Sequence, residues 1–264
     1  MADQPCEPDQ ESRAMTSHHP QQSSTEWLVF PDEETLRAEA LRRIVSVARQ
    51  AQEQRGHFAM ALSGGSTPRK LYESWAHLPE FNWQHTELFW GDERALPPTD
   101  LRSNYYMVKA ALLDHVPIPP QHVHRMPAEL ADLDAAAYHY EATLRQNLGR
   151  DGRLDLALLG LGVDAHTASL FPGEQAIAET RRWVVGTPAP SIASRLTGTS
   201  RLFNAARHVI FLVSGENKRQ AIARVRTPGS DCREVPAAAI QPTPGTLTWL
   251  LDQPAAGNLA SSIP

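Results

Sequence analysis

Asp164 and His166 stand two positions apart, just past an apolar run at 154–159 and a turn carrying Gly160 and Gly162. An imidazole exchanges protons near neutral pH, and a carboxylate beside it can orient the ring and stabilise its charged form. The loop beyond the carboxyl end of a parallel strand is where open α/β sheets present such groups. The same pair could supply two metal ligands, but no third stands nearby, so no metal site is expected. A histidine satisfied by backbone contacts would explain His166 equally well if it stood alone. Two other strand-end segments with ligand-like chemistry tip the balance towards catalysis.

The first is Ser63-Gly64-Gly65-Ser66-Thr67-Pro68, directly after a strand-like run at 58–62. Glycines let the backbone approach a ligand closely, and free N–H groups at a helix start favour an anion. Ser66 and Thr67 add hydroxyls, though a tight turn with an ordinary N-cap also fits. The Gly-Lys-Ser/Thr ending of a Walker loop is missing. The second is Phe89-Trp90-Gly91-Asp92-Glu93-Arg94, where charge follows a strand; Asn104 comes ten residues after Arg94. Arg94 could form a fork to a phosphate or carboxylate, against the plainer alternative of a solvated charged turn. Lys218, after Val213-Ser214-Gly215, falls in a first helical turn, where a lysine opposes the helix dipole unless an anion compensates. An exposed helix lysine is an equal alternative there. Gly160-Leu161-Gly162 matches the start of a dinucleotide fingerprint, with Ala165 where the third glycine falls. No acid ends a well-placed following strand, so no nicotinamide cofactor is expected.

The elements that must hold these groups alternate. Strands are predicted at 27–30, 57–62, 87–90, 154–159 and 208–213. Helices are predicted at 32–54, 68–77, 103–115, 131–148 and 216–226, and 246–251 reads as either strand or helix. Leu36, Ala40, Ile44, Val47 and Ala51 mark the buried face of the first helix. Repeated strand–helix order predicts an α/β fold: one domain with a doubly wound, mostly parallel sheet and helices on both faces. Residues 1–24 are polar and read as a mobile tail that includes an incidental His18-His19 pair; 25–254 form the domain, and 255–264 a C-terminal tail.

A net charge of −5 and the lack of a dense Lys/Arg block argue against a nucleic-acid partner. No apolar run approaches a membrane span of roughly 18 to 20 residues, and no secretory signal opens the chain. Cys6 and Cys232 form no Cys-x-x-Cys pair, so a reducing cytoplasm is expected.

Together these segments resemble the 6-phosphogluconolactonase family. The resemblance runs from about Trp27 to Asp252. It is carried by Ser63-Gly-Gly-Ser-Thr-Pro68, Trp90-Gly-Asp-Glu-Arg94, Ser103-Asn-Tyr105, Gly160-Leu-Gly-Val-Asp-Ala-His-Thr-Ala-Ser-Leu-Phe-Pro172, Asn204-Ala-Ala-Arg-His208, the segment 215–218 and Leu247-Thr-Trp-Leu-Leu251. It implies a three-layer α/β sandwich and a cofactor-free hydrolase, acting as a monomer. The implied substrate is 6-phospho-D-glucono-1,5-lactone, opened to 6-phospho-D-gluconate in the oxidative pentose phosphate pathway. His166 would be the general base and Asp164 its orienting acid. Gly64, Gly65, Ser66, Thr67, Asp92, Arg94, Asn104, Arg195 and Lys218 would bind the substrate and its phosphate.

Two positions depart from the pattern. Ala165 stands where the family usually has glycine; if that position needs a positive φ, alanine adds strain on the order of 1 kcal/mol. Gly198, in Arg195-Leu-Thr-Gly-Thr199, could loosen the strand that carries Arg195. The sister family, glucosamine-6-phosphate deaminase, is the alternative, but Phe171 stands where that family has a proton-carrying glutamate. A sugar-phosphate sensor without catalysis is a third reading.

Overall fold

A short run of consecutive apolar residues is buried at every position in a sheet covered on both faces. The structure, a computed structural model, describes residues 25–148, 152–189, 193–243 and 245–257. In it three such runs form central strands: β2 (Phe58–Leu62), β6 (Leu156–Leu159) and β9 (His208–Val213), all buried except His208. They are joined by β1 (Thr25–Phe30), β3 (Thr86–Trp90), β5 (Val123–His124) and β10 (Thr246–Asp252). The seven strands form one sheet of order β1-β10-β9-β6-β2-β3-β5, with every neighbouring pair parallel. The predicted α/β architecture is thus present, and the segment at 246–251 is strand.

Helix α1 (Glu33–Arg55) starts on a capping box between Asp32 and Thr35, and Gly56 ends it in the left-handed conformation at φ 79°. It buries Leu36, Ala40, Ile44, Ala48 and Ala51, so Ala48 takes the core position expected of Val47. The other predicted helices appear as α2 (Ser66–Ala76), α3 (Asn104–Ala111) and α4 (Leu133–Asn147). Residues 216–218 form a 3-10 turn; after the short α5 (Ser200–Asn204), α6 begins only at Arg219 and runs to Arg226.

Chain direction across the sheet decides where a site can lie. From β2 the chain moves outward to β3, and from β6 it moves the opposite way to β9. The adjacent carboxyl ends of β2 and β6 therefore flank the switch point, the crevice where open sheets hold ligands. Two buried tyrosines pin the strand ends beside it. The Tyr72 hydroxyl accepts from Ser63 N–H and donates to Ser63 C=O, both at 2.9 Å. The Tyr140 hydroxyl accepts from Trp90 N–H at 2.8 Å. Replacing Tyr72 by phenylalanine leaves a buried donor and acceptor unmatched. It is expected to cost about 1 to 3 kcal/mol of stability, read as a lower denaturant midpoint at unchanged slope.

A second, three-stranded antiparallel sheet is absent from the predicted elements. It comprises β4 (Asp92–Arg94), β8 (Arg195–Gly198) and β7 (Val184–Thr187), in that order. Strands of three or four residues are too short to show a period. Residues 1–24, with His18, His19 and Cys6, lie outside the described residues. At the other end, α7 (Gln253–Ala256) buries Ala255 and Ala256, so ordered chain continues past residue 254 to Gly257. Among the described residues no helix is long and apolar enough to cross a membrane.

Candidate active site

The loop after β6 folds on itself. Gly162 N–H donates to His166 C=O at 2.8 Å, Ala165 N–H donates to Gly162 C=O at 3.1 Å, and Thr167 Oγ1 donates to Gly160 C=O at 2.9 Å. This compaction brings His166 Nδ1 within 2.5 Å of Asp164 Oδ1. Where the imidazole is neutral, an ionised Asp164 favours the tautomer with the proton on Nδ1, which leaves the Nε2 lone pair free. Burial pulls the Asp164 carboxyl upward, but the His166 charge and hydrogen bonds outweigh it and hold the group below its ordinary value. Phe171 packs against the imidazole with ring centroids 4.7 Å apart. Gly162 is required by close approach, since a Cβ there would fall 2.0 Å from His166 Nδ1.

Ala165 adopts φ 70° and is fully buried. The condition posed by the sequence is therefore met: a residue with a Cβ occupies a left-handed position, at a cost of roughly 1 to 2 kcal/mol. Ala168 follows at φ 47°, in the turn closed by Leu170 N–H on Thr167 C=O.

Asp164 and His166 line a cavity of about 460 Å³. The structure brings Gly64, Gly65, Asp92, Arg94, Asn104, Arg195 and Lys218 to the same cavity. Ser66 and Thr67 are not among its lining residues. Helix α2 begins two residues earlier than predicted, with Gly65 as its cap at φ 105° and no side-chain cap. Ser66 and Thr67 are therefore first-turn residues, whose backbone N–H groups have no acceptor within the helix. Gly64 also has a more specific reason than ligand approach: a Cβ there would fall 1.9 Å from Asn104 Oδ1.

Asn104 is placed by a buried acid that the sequence marked only as part of a charged turn. Glu93 accepts from the N–H groups of Arg94, Asn104 and Tyr105 at 2.7 Å each and from Ser103 Oγ at 3.0 Å. Burial pushes its carboxyl above the ordinary value despite these bonds. Asn104 Nδ2 in turn donates to Asp92 C=O at 2.9 Å. Ser169, with no role predicted, donates to Asp92 Oδ2 at 2.6 Å and ties the His166 loop to β4. A serine gives no signal of such a role in sequence, because its partner lies on a distant segment.

The cationic wall is built by register. Arg94 and Arg195 sit directly opposite each other in the antiparallel β4–β8 pair. Like charges so placed repel, and an anion between them would relieve this. Burial, and next the Arg94 charge, push the Arg195 guanidinium below its ordinary pKa. Carbonyl acceptors hold the two side chains, Arg102 for Arg94 and Ala193 for Arg195. Lys218 lines the cavity half-buried; burial lowers its pKa while the Asp164 carboxylate opposes that shift. Among the described residues no three His, Cys, Asp or Glu side chains gather as a metal site requires.

The chain is similar to known proteins over most of its length. The family model described as glucosamine-6-phosphate isomerases/6-phosphogluconolactonase matches residues 31–249. A 6-phosphogluconolactonase of Nostoc is 40% identical over 241 residues, covering 88% of this chain and 97% of the relative. One from Synechocystis is 41% identical over 242 residues, with the same coverage of 88% and 97%. The structure of 6-phosphogluconolactonase from Trypanosoma cruzi superposes with a TM-score of 0.80 at 30% identity, covering 92% of this chain and 99% of that one. A monomeric glucosamine-6-phosphate deaminase shares the fold at a TM-score of 0.75 and 22% identity. By sequence and by fold, the chain belongs to the glucosamine-6-phosphate isomerase/6-phosphogluconolactonase family.

Proposed function

We propose that this chain hydrolyses 6-phospho-D-glucono-1,5-lactone to 6-phospho-D-gluconate, as a cytoplasmic monomer of the pentose phosphate pathway with neither a nucleic-acid nor a membrane partner. The observation that carries this is the Asp164–His166 contact at 2.5 Å inside a cavity that Arg94, Arg195 and Lys218 also line. His166 Nε2 takes a proton from water as its oxygen attacks the lactone carbonyl carbon. The tetrahedral oxyanion collapses, the bond from that carbon to the ring oxygen breaks, and the imidazolium returns the proton to the ring oxygen. Asp164 stabilises the imidazolium between these steps. Backbone N–H groups near Gly64 to Ser66 or Gly162 stabilise the oxyanion.

Arg94, Arg195 and Lys218, with the uncapped start of α2, hold the 6-phosphate. Asp92 and Asn104 face the sugar. Binding energy from the phosphate is thereby spent on orienting the carbonyl. A six-membered lactone hydrolyses slowly unaided, so a single general base supplies enough assistance. Phe171 against the imidazole leaves no second acid at the position that ring-opening deamination would use.

The test offers the purified protein 6-phosphogluconolactone and glucosamine 6-phosphate separately. Acid release above the spontaneous rate, without ammonia, is the expected result. Ammonia would assign the deaminase reaction, and binding without turnover would assign a sensor.

A further inference from the structure

The left-handed Ala165 separates the two reacting side chains, so whatever holds that residue also sets the Asp164–His166 geometry. A residue with a Cβ stays in this conformation only where its surroundings over-determine it. The restraints come from outside the loop. Arg224, in the last turn of α6, donates from Nη1 to Asp164 C=O at 3.0 Å. Its Nη2 donates to Glu234 C=O, which fastens the guanidinium to the segment that follows α6. Ala237 N–H donates to Ala165 C=O at 3.1 Å. Two successive carbonyls of the catalytic loop are thus gripped from α6 and from residues 234–237. Among the described residues, the hydrogen bonds of the Arg224 guanidinium go to two backbone oxygens, those of Asp164 and Glu234.

We propose that Arg224 is a positioning residue, which locks the strained Asp164–Ala165 backbone and thereby aims the His166 imidazole. A guanidinium presents several donors in a rigid planar fork, so it fixes the directions of two carbonyls at once, whereas the ammonium of a lysine rotates. The proposal rests on the lactonase reading for its kinetic consequences, but its structural content does not depend on the substrate.

The test compares Arg224→Ala with the double variant Ala165→Gly/Arg224→Ala. Removal of the guanidinium is expected to lower kcat about 10- to 100-fold with KM changed little, because the phosphate wall is untouched. Glycine adopts the left-handed conformation without restraint, so the double variant is expected to recover at least part of that loss. Carboxyl NMR supplies a readout free of activity: the Asp164 titration should move upward in Arg224→Ala and back towards wild type in the double variant. Should Arg224→Ala fail to fold, Arg224→Gln, which removes the charge and the guanidinium fork from a shorter side chain, is read in the same way. Wild-type kcat and an unmoved Asp164 titration in a folded variant would overturn the proposal. So would equal losses in the alanine and glycine backgrounds. If the wild-type chain proves inactive on the lactone, the functional reading fails by itself, and the NMR comparison still decides the role of Arg224.

Discussion

Replacing His166 by alanine is expected to lower lactone turnover by about 10²- to 10⁴-fold, the scale of general-base assistance, while leaving the protein folded. The imidazole is 31% exposed and lies against Asp164, Phe171 and Gly162 at the cavity wall, so its removal opens no core cavity. A second effect follows from the same pair. The Asp164 carboxyl sits below its ordinary value because His166 outweighs the burial that would raise it. In the wild type this contribution to stability is present above the unfolded pKa and lost as pH falls through the lowered folded pKa. In His166→Ala the burial remains and the counterion is gone, so the Asp164 titration should move up. Stopped-flow acid release measures the first effect and carboxyl NMR the second. Near-normal turnover in the variant would remove His166 from the mechanism.

Substrate capture should respond to the cationic wall. Arg195→Ala and Arg94→Ala are each expected to weaken binding of 6-phospho-D-gluconate about 10- to 100-fold, since hydrogen bonds to a charged group contribute about 1.5 to 3 kcal/mol. Lys218→Ala should act in the same direction. KM is expected to rise more than kcat falls, because the phosphate lies away from the carbonyl. Titration calorimetry with the product isolates this term from the chemistry. Affinity equal to wild type in both arginine variants would take the phosphate elsewhere, for instance to the start of α2 alone. The Arg94–Arg195 register adds a control. Removing one of two opposed guanidiniums also relieves repulsion, so the melting temperature should not fall in step with affinity.

Much of this arrangement was legible in the chain before folding. The runs at 58–62, 154–159 and 208–213 are apolar at nearly every position, and a sheet covered on both faces buries such a run completely. Helix α1 showed its face because its apolar residues recur at helical spacing. Asp164 and His166 were readable because local geometry suffices: two side chains two positions apart, in a turn that follows a strand. Arg94 and Lys218 stand in strand-end segments visible in the sequence and Arg195 follows from the family resemblance, but the opposition of the two arginines was not readable. Their strands are three and four residues long and pair across a wide separation in sequence, so neither period nor spacing announces them.

Residue type alone determined the parallel α/β layout and the placement of Asp164 and His166 together beyond a strand end, because burial and local spacing are properties a sequence carries directly. Tertiary structure decided the rest. It decided that Gly64 makes room for Asn104, that Gly162 makes room for the imidazole, and that buried Glu93 sets the start of α3. It also decided that Ala165 is held at φ 70° by groups from α6 and beyond. Each of these is a contact between segments far apart in the chain, and such contacts exist only once the sheet has brought those segments to one edge.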